Sequence, residues 1–197
     1  MIETKQKIQS LSPVKIKGLT KAELKAYFKN TWILYKRLFS SLKSEKTFYL
    51  APDPLRNPLI FYWGHTAAFY INKMVLAGFL KKGLNPRFEQ LFAVGVDPDL
   101  PENLEVLDLW PPVSEVDDYR NQVYKTVLNV IENEPIDDLI SEDSPWWAVL
   151  MGLEHDRIHF ETSSVLIRQL PADLVQRPEG WEYAPTIGQP SDNQIIR

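Results

Sequence analysis

The amino-acid sequence predicts an all-α protein, an antiparallel bundle of four long helices. Four segments carry apolar residues at steps of three or four, which is the spacing of one helix face. No segment shows a convincing alternation of apolar and polar residues over the length of a strand. The chain has 197 residues, of which 44% are hydrophobic, so it can build a sizeable core. Four amphipathic helices in one domain-sized chain favour a bundle.

The first helix is predicted to begin at residue 20, after an irregular leader over residues 1–19. Thr20 and Glu23 have the spacing of a capping box, in which the two side chains satisfy free backbone amides at the helix start. The helix is predicted to end near Ser44. Its apolar face comprises Leu24, Phe28, Trp32, Tyr35 and Phe39.

The second helix is predicted over residues 59–80, with Pro58 in its first turn and Gly83 and Pro86 ending it. Its sequence is apolar and aromatic throughout, which indicates burial on most sides. Residues 84–112 are predicted to form a long irregular loop. Loops of this length inside one domain are often functional.

The third helix is predicted to begin at a capping pattern, Ser114 with Asp117, and to run to about Glu132. Its inward positions are Val116, Tyr119, Val123, Val127 and Val130. The fourth is predicted to begin with Ser144 as its N-cap and Pro145 in its first turn, and to stop before Pro171. Its apolar positions are Trp147, Leu150, Met151, Leu153, Ile158, Leu166 and Ile167.

Three domain segments follow from these helices: the leader at residues 1–19, the bundle at 20–175, and a tail or linker at 176–197. The net charge is −4, and the basic residues are scattered, which argues against nucleic-acid binding. There is no Cys, so disulfides, thiol nucleophiles and Cys-ligated metals are excluded. The N-terminus is polar and no apolar run has membrane-spanning length, so a cytoplasmic location is expected.

The chain has only three histidines, all in predicted helices. His155 and His159 are four residues apart, so their rings lie on one helix face and can reach one metal ion. His65 lies inside the second helix, and a bundle can bring side chains of different helices to one cofactor. The three residues therefore form a candidate metal site.

Simpler interpretations remain open. A histidine in an apolar helix is more often a hydrogen-bonded core residue, and two at this spacing can occur by chance. The zinc-protease pattern needs a Glu after the first His, whereas the sequence has Asp156, which argues against proteolysis. Glu161 is rotated away from the face of the two histidines. It is either a residue that orients a metal ligand without binding the metal, or a surface residue that forms an ion pair.

The pattern H-x-x-x-H-x-E formed by His155, His159 and Glu161 resembles the signature of DinB-like domains in the sulfoxide synthases of thiol-histidine biosynthesis. The similarity covers roughly residues 20–175. Within this group, the closer resemblance is to the N-terminal domain of the ovothiol-pathway 5-histidylcysteine sulfoxide synthases, ahead of the ergothioneine-pathway enzymes. It is carried by the runs NPLIFYWGHTAAFYINK, NPRFEQLFAVGVD, WPPVSEVDDYR and PWWAVLMGLEHDRIHFETSSVLIRQLP.

This resemblance implies a DinB-like four-helix bundle in which His65, His155 and His159 bind Fe(II) and leave positions open for O₂ and a thiol. The implied reaction joins the sulfur of cysteine to the imidazole of histidine and leaves a sulfoxide. In the family an FGE-sulfatase-like domain follows the bundle and completes the substrate pocket. The sequence ends at Arg197, before such a domain, so activity is expected to need that domain or a partner chain.

Two other functions remain open: a DinB-type metal-dependent thiol S-transferase, and a non-catalytic metal-binding module. Three imidazoles bind iron, zinc, nickel and copper alike, so the residues do not identify the metal. In the long loop, Arg87 and Asp97 are more readily interpreted as loop-anchoring charges than as a substrate clamp. The aromatic residues around His65 and the tryptophans at 110, 146 and 147 are predicted to be packing residues.

Overall fold

The computed structural model describes residues 9–93, 110–137 and 139–181. Over these ranges the secondary structure is helical, with two isolated β-bridges and no strand. A short 3₁₀ helix, Glu45–Tyr49, follows the first of five α-helices: α1 (Lys21–Phe39), α2 (Leu59–Leu76), α3 (Pro86–Leu91), α4 (Val113–Asn133) and α5 (Trp146–Arg168). The all-α prediction is confirmed. None of the helices in these ranges has the length and apolar character needed to cross a membrane.

The directions of the four long helices explain the long connection between α2 and α4. Contacts between α2 and α5 run in opposite order along the two helices, from Tyr62 beside His159 to Tyr70 beside Gly152. Contacts between α1 and α4 are likewise antiparallel. In contrast, α1 and α5 are parallel, because Tyr27, Thr31 and Tyr35 meet successively later residues of α5. It follows that α2 and α4 point the same way, and the connecting segment must return along the bundle.

The core is an aromatic cluster at the meeting of the long helices. Every apolar residue predicted to face inward on α1 and α4 is buried. Phe28 stacks on Tyr124 of α4 and makes an edge contact with Tyr70 of α2, so one ring links three helices. Tyr35 stacks on Trp63 with a centroid distance of 5.9 Å. This interlocked packing fixes the distance between α2 and the helices around it.

The predicted capping box at the start of α1 is present. The Thr20 hydroxyl accepts from the Glu23 amide, and the Glu23 carboxylate accepts from the Thr20 amide. The helix ends at Phe39, earlier than the predicted end near Ser44.

The prediction that α2 continues to residue 80 is wrong. The helix ends at Leu76, because Gly78 adopts a φ of 82°, a left-handed conformation that favours glycine and stops a helix. The sequence prediction assigned the stop to Gly83 and overlooked this nearer glycine. The loop at 84–112 also contains a short helix that was not predicted, α3, which Asn85 caps by accepting from the Phe88 amide.

The predicted cap of α4 at Ser114 is also wrong. The helix begins at Val113 behind Pro112, with no side-chain cap, so Ser114 is already inside the first turn. At α5 the Ser144 hydroxyl accepts from the Trp146 amide as a cap does, although the helix is assigned from Trp146. Two of the apolar residues of α5, Met151 and Ile158, are exposed by 38% and 59%.

The segments at either end of the bundle contact it within the described ranges. The Leu11 amide donates to the Asn30 side chain on α1, and Leu19 is buried in the core. Beyond α5, the Gln176 amide donates to the Ser41 carbonyl, and Trp181 stacks on Phe160. The predicted segment boundaries at 19–20 and 175–176 stay predictions.

Candidate metal centre

The three histidines converge at one point between α2 and α5. Nitrogen atoms of His65, His155 and His159, one from each ring, all lie within 4.8 Å of one another. The Nε2 atoms of His65 and His155 are 3.1 Å apart. Two nitrogens bound to one metal ion at about 2.1 Å are separated by about 3 Å, so this spacing suits a shared ion. We refer to these three residues as the His triad.

Close packing of α2 against α5 produces this convergence. A Cβ atom on Gly152 would lie 2.4 Å from the ring of Tyr70, so only glycine allows the two helices to approach this closely. One turn further along α5, the ring of Phe69 stacks on His155 with a centroid distance of 3.7 Å. On the other side, Phe61 stacks on His65. Aromatic rings thus hold the imidazoles of both helices in place.

A backbone carbonyl sets the tautomer of His65. Its Nδ1 lies 2.6 Å from the carbonyl oxygen of Phe92, at the end of α3, and a carbonyl oxygen can only accept. Nδ1 therefore carries the proton and donates, which leaves the lone pair on Nε2 toward His155. Gly64 makes room for this contact, because a Cβ there would lie 2.4 Å from the Phe92 ring. The unpredicted helix α3 thus supports the triad.

Burial keeps the triad uncharged and free to bind a metal ion. Burial, and to a lesser extent the neighbouring His159 and His65, lower the pKa of His155 to about 2. Burial and then His65 lower the pKa of His159 to about 3. Burial also lowers the pKa of His65, against the Phe92 carbonyl, which favours its charged form. All three imidazoles are therefore neutral near pH 7, the form that coordinates metals.

Two ring nitrogens of the triad have no hydrogen-bond partner among the described residues. The Nδ1 atoms of His155 and His159 are buried and make no hydrogen bond to any described residue. An ion shared by the triad would bind the ring nitrogens that face one another, such as the Nε2 atoms of His65 and His155, and coordination would offset the cost of burying those neutral nitrogens. The donor set therefore fits a divalent transition metal such as Fe(II), Zn(II) or Ni(II).

Two cavities of different character flank the triad, separated by Ile158 of α5. One, of about 530 Å³, is largely apolar and reaches His155. It is lined by Pro13, Val14, Ile16, Phe69, Trp147, Leu150, Met151, Glu154, His155 and Ile158. The other, of about 380 Å³, reaches His159. It is lined by Asp53, Arg56, Tyr62, Ile158, His159, Thr162, Val165, Leu166 and Gln169. Ligands can thus approach the triad from two sides.

Asp156, which stands where the zinc proteases have Glu, does not belong to the triad. It is completely buried on the core side of α5, where burial raises its pKa to about 7 against the opposing effect of Arg120. Arg120 is also buried, between the rings of Trp32 and Trp63. A carboxylate on the core side of the helix is poorly placed to activate a metal-bound water, in agreement with the argument against proteolysis.

The remaining candidate residues lie away from the triad. Arg87 is exposed on α3 and Glu161 is exposed on α5. In the described ranges neither side chain makes a hydrogen bond or ion pair with a triad histidine, and their proposed roles stay predictions. Asp97 lies outside the described residues. Trp110 packs against Phe61 and Phe92, as predicted for a residue that anchors the loop.

Sequence reasoning missed the residues that support the triad. Gly64 and Gly152 interrupt helical patterns in their interiors, and an isolated interior glycine often marks a close approach, so this signal was available. Nothing in the sequence indicated the carbonyl of Phe92, since a backbone contact leaves no pattern of residue types. The same holds for Asp53 and Arg56, which come from an irregular loop.

Replacement of Gly152 by Ala is expected to weaken both the fold and metal binding. The added methyl collides with Tyr70, whose ring is fully buried against Phe28, so the ring has little room to move and α2 and α5 must separate. Overpacking of this kind costs about 1–3 kcal/mol of unfolding free energy. A shift of the supporting residues lowers metal affinity about tenfold. Urea unfolding and titration with Co(II) measure the two effects.

Gly78→Ala is the matched control. Gly78 has a positive φ but no atom near a new Cβ, and it lies beyond the end of α2. Its replacement is expected to cost about 1 kcal/mol through backbone strain and to leave the Co(II) affinity unchanged. Equal Co(II) affinities for the Gly152→Ala variant and the unmodified chain would contradict a role of close helix packing in forming the triad.

Comparison with known proteins identifies the family of this chain. Ergothioneine biosynthesis protein 1 of Neurospora crassa is 29% identical over 134 residues, which make up 63% of this chain and 14% of the relative. The chain therefore corresponds to a small part of that protein's length. The sequence profile of the DinB superfamily matches residues 27–163, from α1 to α5, which include the whole triad. The chain belongs to the DinB superfamily.

Proposed function

We propose that this chain is the Fe(II)-binding domain of a sulfoxide synthase that joins cysteine sulfur to the imidazole ring of histidine, the reaction of ovothiol biosynthesis. The observation that carries the proposal is the convergence of His65, His155 and His159 to within 4.8 Å. Three neutral imidazoles on one side of an ion leave positions open for O₂ and a substrate, as in non-haem iron oxygenases. The similarity to a protein named for ergothioneine biosynthesis supports thiol-histidine chemistry.

The reaction balances without a further oxidant. One C–H bond of the imidazole and the S–H bond of cysteine are lost, and one C–S and one S–O bond form. The substrates give up four electrons to O₂, of which one oxygen atom enters the sulfoxide and the other leaves as water. Bound Fe(II) would supply the activation of O₂ and a coordination position for the thiolate.

The protein's own residues contribute position and exclusion of water. The stacked rings of Phe61 and Phe69 hold two of the imidazoles, so the ligand geometry is fixed before substrate binds. The cavities on either side of Ile158 give two separate approaches to the triad. Two substrates that reach one ion from opposite sides meet at fixed orientation, which removes most of the entropic cost of their encounter.

The proposal includes a second domain or partner chain, FGE-sulfatase-like, that covers the triad. Support comes from α5, where Met151, Ile158 and Val165 are exposed beside the two cavities. Apolar side chains grouped around a binding site commonly mark a surface that another protein unit covers. The relative's much greater length is consistent with further domains around this one.

The test measures iron content and product in parallel. The chain is purified without air and loaded with Fe(II), and iron is quantified per chain. It is then mixed with cysteine, histidine and O₂, alone and with an FGE-like domain supplied on the same or a separate chain. We expect close to one iron per chain, and a product with the mass of cysteine plus histidine plus one oxygen atom minus two hydrogen atoms.

Each other outcome would contradict the proposal in a different way. Transfer of a small thiol to an electrophile at the same rate without O₂ would replace the proposal by a DinB-type thiol S-transferase. Iron bound at one per chain, with no product even when the FGE-like domain is present, would leave a metal-binding module. Less than one tenth of an iron per chain after anaerobic loading would contradict the iron site itself.

A further inference from the structure

The cavity beside His159 differs from its neighbour in the charges that line it. Asp53 and Arg56 bring one negative and one positive side chain to the same cavity, and Thr162 and Gln169 add polar groups. The cavity beside His155 has a single ionisable residue besides the histidine, Glu154, among mostly apolar side chains. The two approaches to the triad are therefore chemically distinct.

Asp53 and Arg56 lie in a loop whose turn is stabilised by hydrogen bonds. The Leu55 amide donates to Oδ1 of Asp53 at 2.8 Å, and the Arg56 amide donates to the Asp53 carbonyl at 3.0 Å. The Leu59 amide donates to the Leu50 carbonyl, which ties both ends of the loop together immediately before α2. Asp53 and Arg56 are each half-buried, so their positions are more restricted than those of freely exposed side chains.

From this arrangement we infer that the cavity beside His159 binds the charged head group of an α-amino acid, with the carboxylate at Arg56 and the ammonium at Asp53, while the amino acid's side chain reaches the triad. The inference rests on the proposed function, because it assigns a substrate class to one side of the same metal site. An α-amino acid presents one group of each charge on a single carbon atom.

The size and the lining of the cavity suit this ligand. A volume of about 380 Å³ lies at the small end of ligand cavities and accommodates one amino acid. Ile158, Val165 and Leu166 provide an apolar surface for the methylene groups between head group and functional end. A guanidinium binds a carboxylate by two parallel hydrogen bonds, which fixes orientation as well as affinity. A phosphate ligand is disfavoured, because Asp53 would repel it.

The test uses the chain loaded with Co(II), whose visible spectrum changes when a ligand enters its coordination shell. Two series of probes share a metal-binding end and differ in the head group. In the thiol series these are 3-mercaptopropionate, cysteamine and 2-mercaptoethanol. In the imidazole series they are imidazolepropionate, histamine and 4-methylimidazole. Each is titrated against the unmodified chain and against the Arg56→Met, Asp53→Asn and Arg168→Met variants.

We expect Arg56→Met to lower the affinity for the carboxylate probe of at least one series by about tenfold or more. This is the loss expected when hydrogen bonds to a charged group are removed. Asp53→Asn keeps the oxygen that accepts from the Leu55 amide, and it should lower the affinity for the amine probe of that series several-fold. The neutral probes and the Co(II) affinity should not change. Arg168→Met, an exposed charge of α5 outside the cavity, should change none of them.

The outcomes separate this inference from the proposed function. Carboxylate probes that bind the Arg56→Met variant as well as the unmodified chain, in both series, would overturn the inference and leave the iron proposal standing. An Arg56-dependent preference in a chain that makes no sulfoxide would support the amino-acid site and count against the synthase. Failure of Co(II) to bind the triad would overturn both.

Discussion

Replacing His155 and His159 together by alanine is expected to abolish metal binding while leaving the metal-free fold intact. Each imidazole of such a site contributes about 3 kcal/mol of metal-binding free energy, or roughly a hundredfold in affinity. Without metal, the two rings are buried with Nδ1 atoms that make no hydrogen bond to a described residue, so their removal also relieves a desolvation cost. Stability without metal should therefore change little.

Thermal unfolding with and without added metal measures both effects. Metal at about a hundred times its dissociation constant stabilises the unmodified chain by about 2.7 kcal/mol, which raises the melting temperature by about 5–10 °C. The double variant should show no such increase. Arg168→Ala, an exposed change on the same helix, is the matched control and should behave like the unmodified chain. A double variant that keeps the increase would show that the metal binds elsewhere.

The sequence was sufficient to predict the four long helices and to single out the three histidines, for a simple physical reason. A helix-forming segment can be recognised from the spacing of its apolar residues. The chain has only three histidines, and two of them are one helical turn apart. The structure brings His65 to the other two, and the resemblance to sulfoxide synthases had implied this set. That the three bind iron stays a proposal, since imidazoles accept several divalent metals.

The errors fall where periodicity carries no information. The end of α2 depends on the backbone conformation of Gly78, not on the apolar pattern, which continues past it. On α5 apolar residues occur on every side, so the pattern could not separate the core face from the face with Met151 and Ile158. Those two residues line the cavity that reaches His155, next to the proposed site.

The features that complete the site arise from tertiary contacts. The Phe92 carbonyl that fixes the tautomer of His65 belongs to the segment between α2 and α4, and this segment is long because the two helices point the same way. The loop with Asp53 and Arg56 borders α5 only after the bundle has formed. Contacts between distant segments leave no local signal, so single-sequence reasoning could assign the ligands but not their surroundings.

Asp156→Ala is expected to lower the stability of the fold substantially. Arg120 is fully buried, where its guanidinium donates to the Trp63 carbonyl and the Thr66 hydroxyl and lies 3.8 Å from the Trp63 ring centroid. Its Nη2 atom and both Asp156 oxygens make no well-formed hydrogen bond to a described residue, although Arg120 and Thr66 both act to lower the pKa of Asp156. Of the acidic groups that raise the pKa of Arg120, Asp156 has the largest effect, so it is the main compensating charge inside the core.

The two partners are expected to respond unequally. An arginine cannot lose its proton, so Asp156→Ala leaves a buried charge without compensation and costs about 3 kcal/mol of unfolding free energy. Arg120→Met leaves a carboxyl group that burial already favours in its neutral form, so it costs less electrostatically, although two hydrogen bonds are lost. The double variant should be less destabilised than the sum of the two single variants, by about 1 kcal/mol or more.

Urea unfolding of the unmodified chain, the two single variants and the double variant measures these losses of stability. All are measured at one fixed pH, with a chelator present so that metal does not contribute. Glu132→Ala is the control, because it removes one charge of the exposed pair between Lys25 and Glu132 and should leave the urea midpoint almost unchanged. Additive losses in the double variant would show that the two buried charges do not interact. In that case the orientation of α5 against α2 and α4, and with it the position of His155 and His159, would depend on aromatic packing alone.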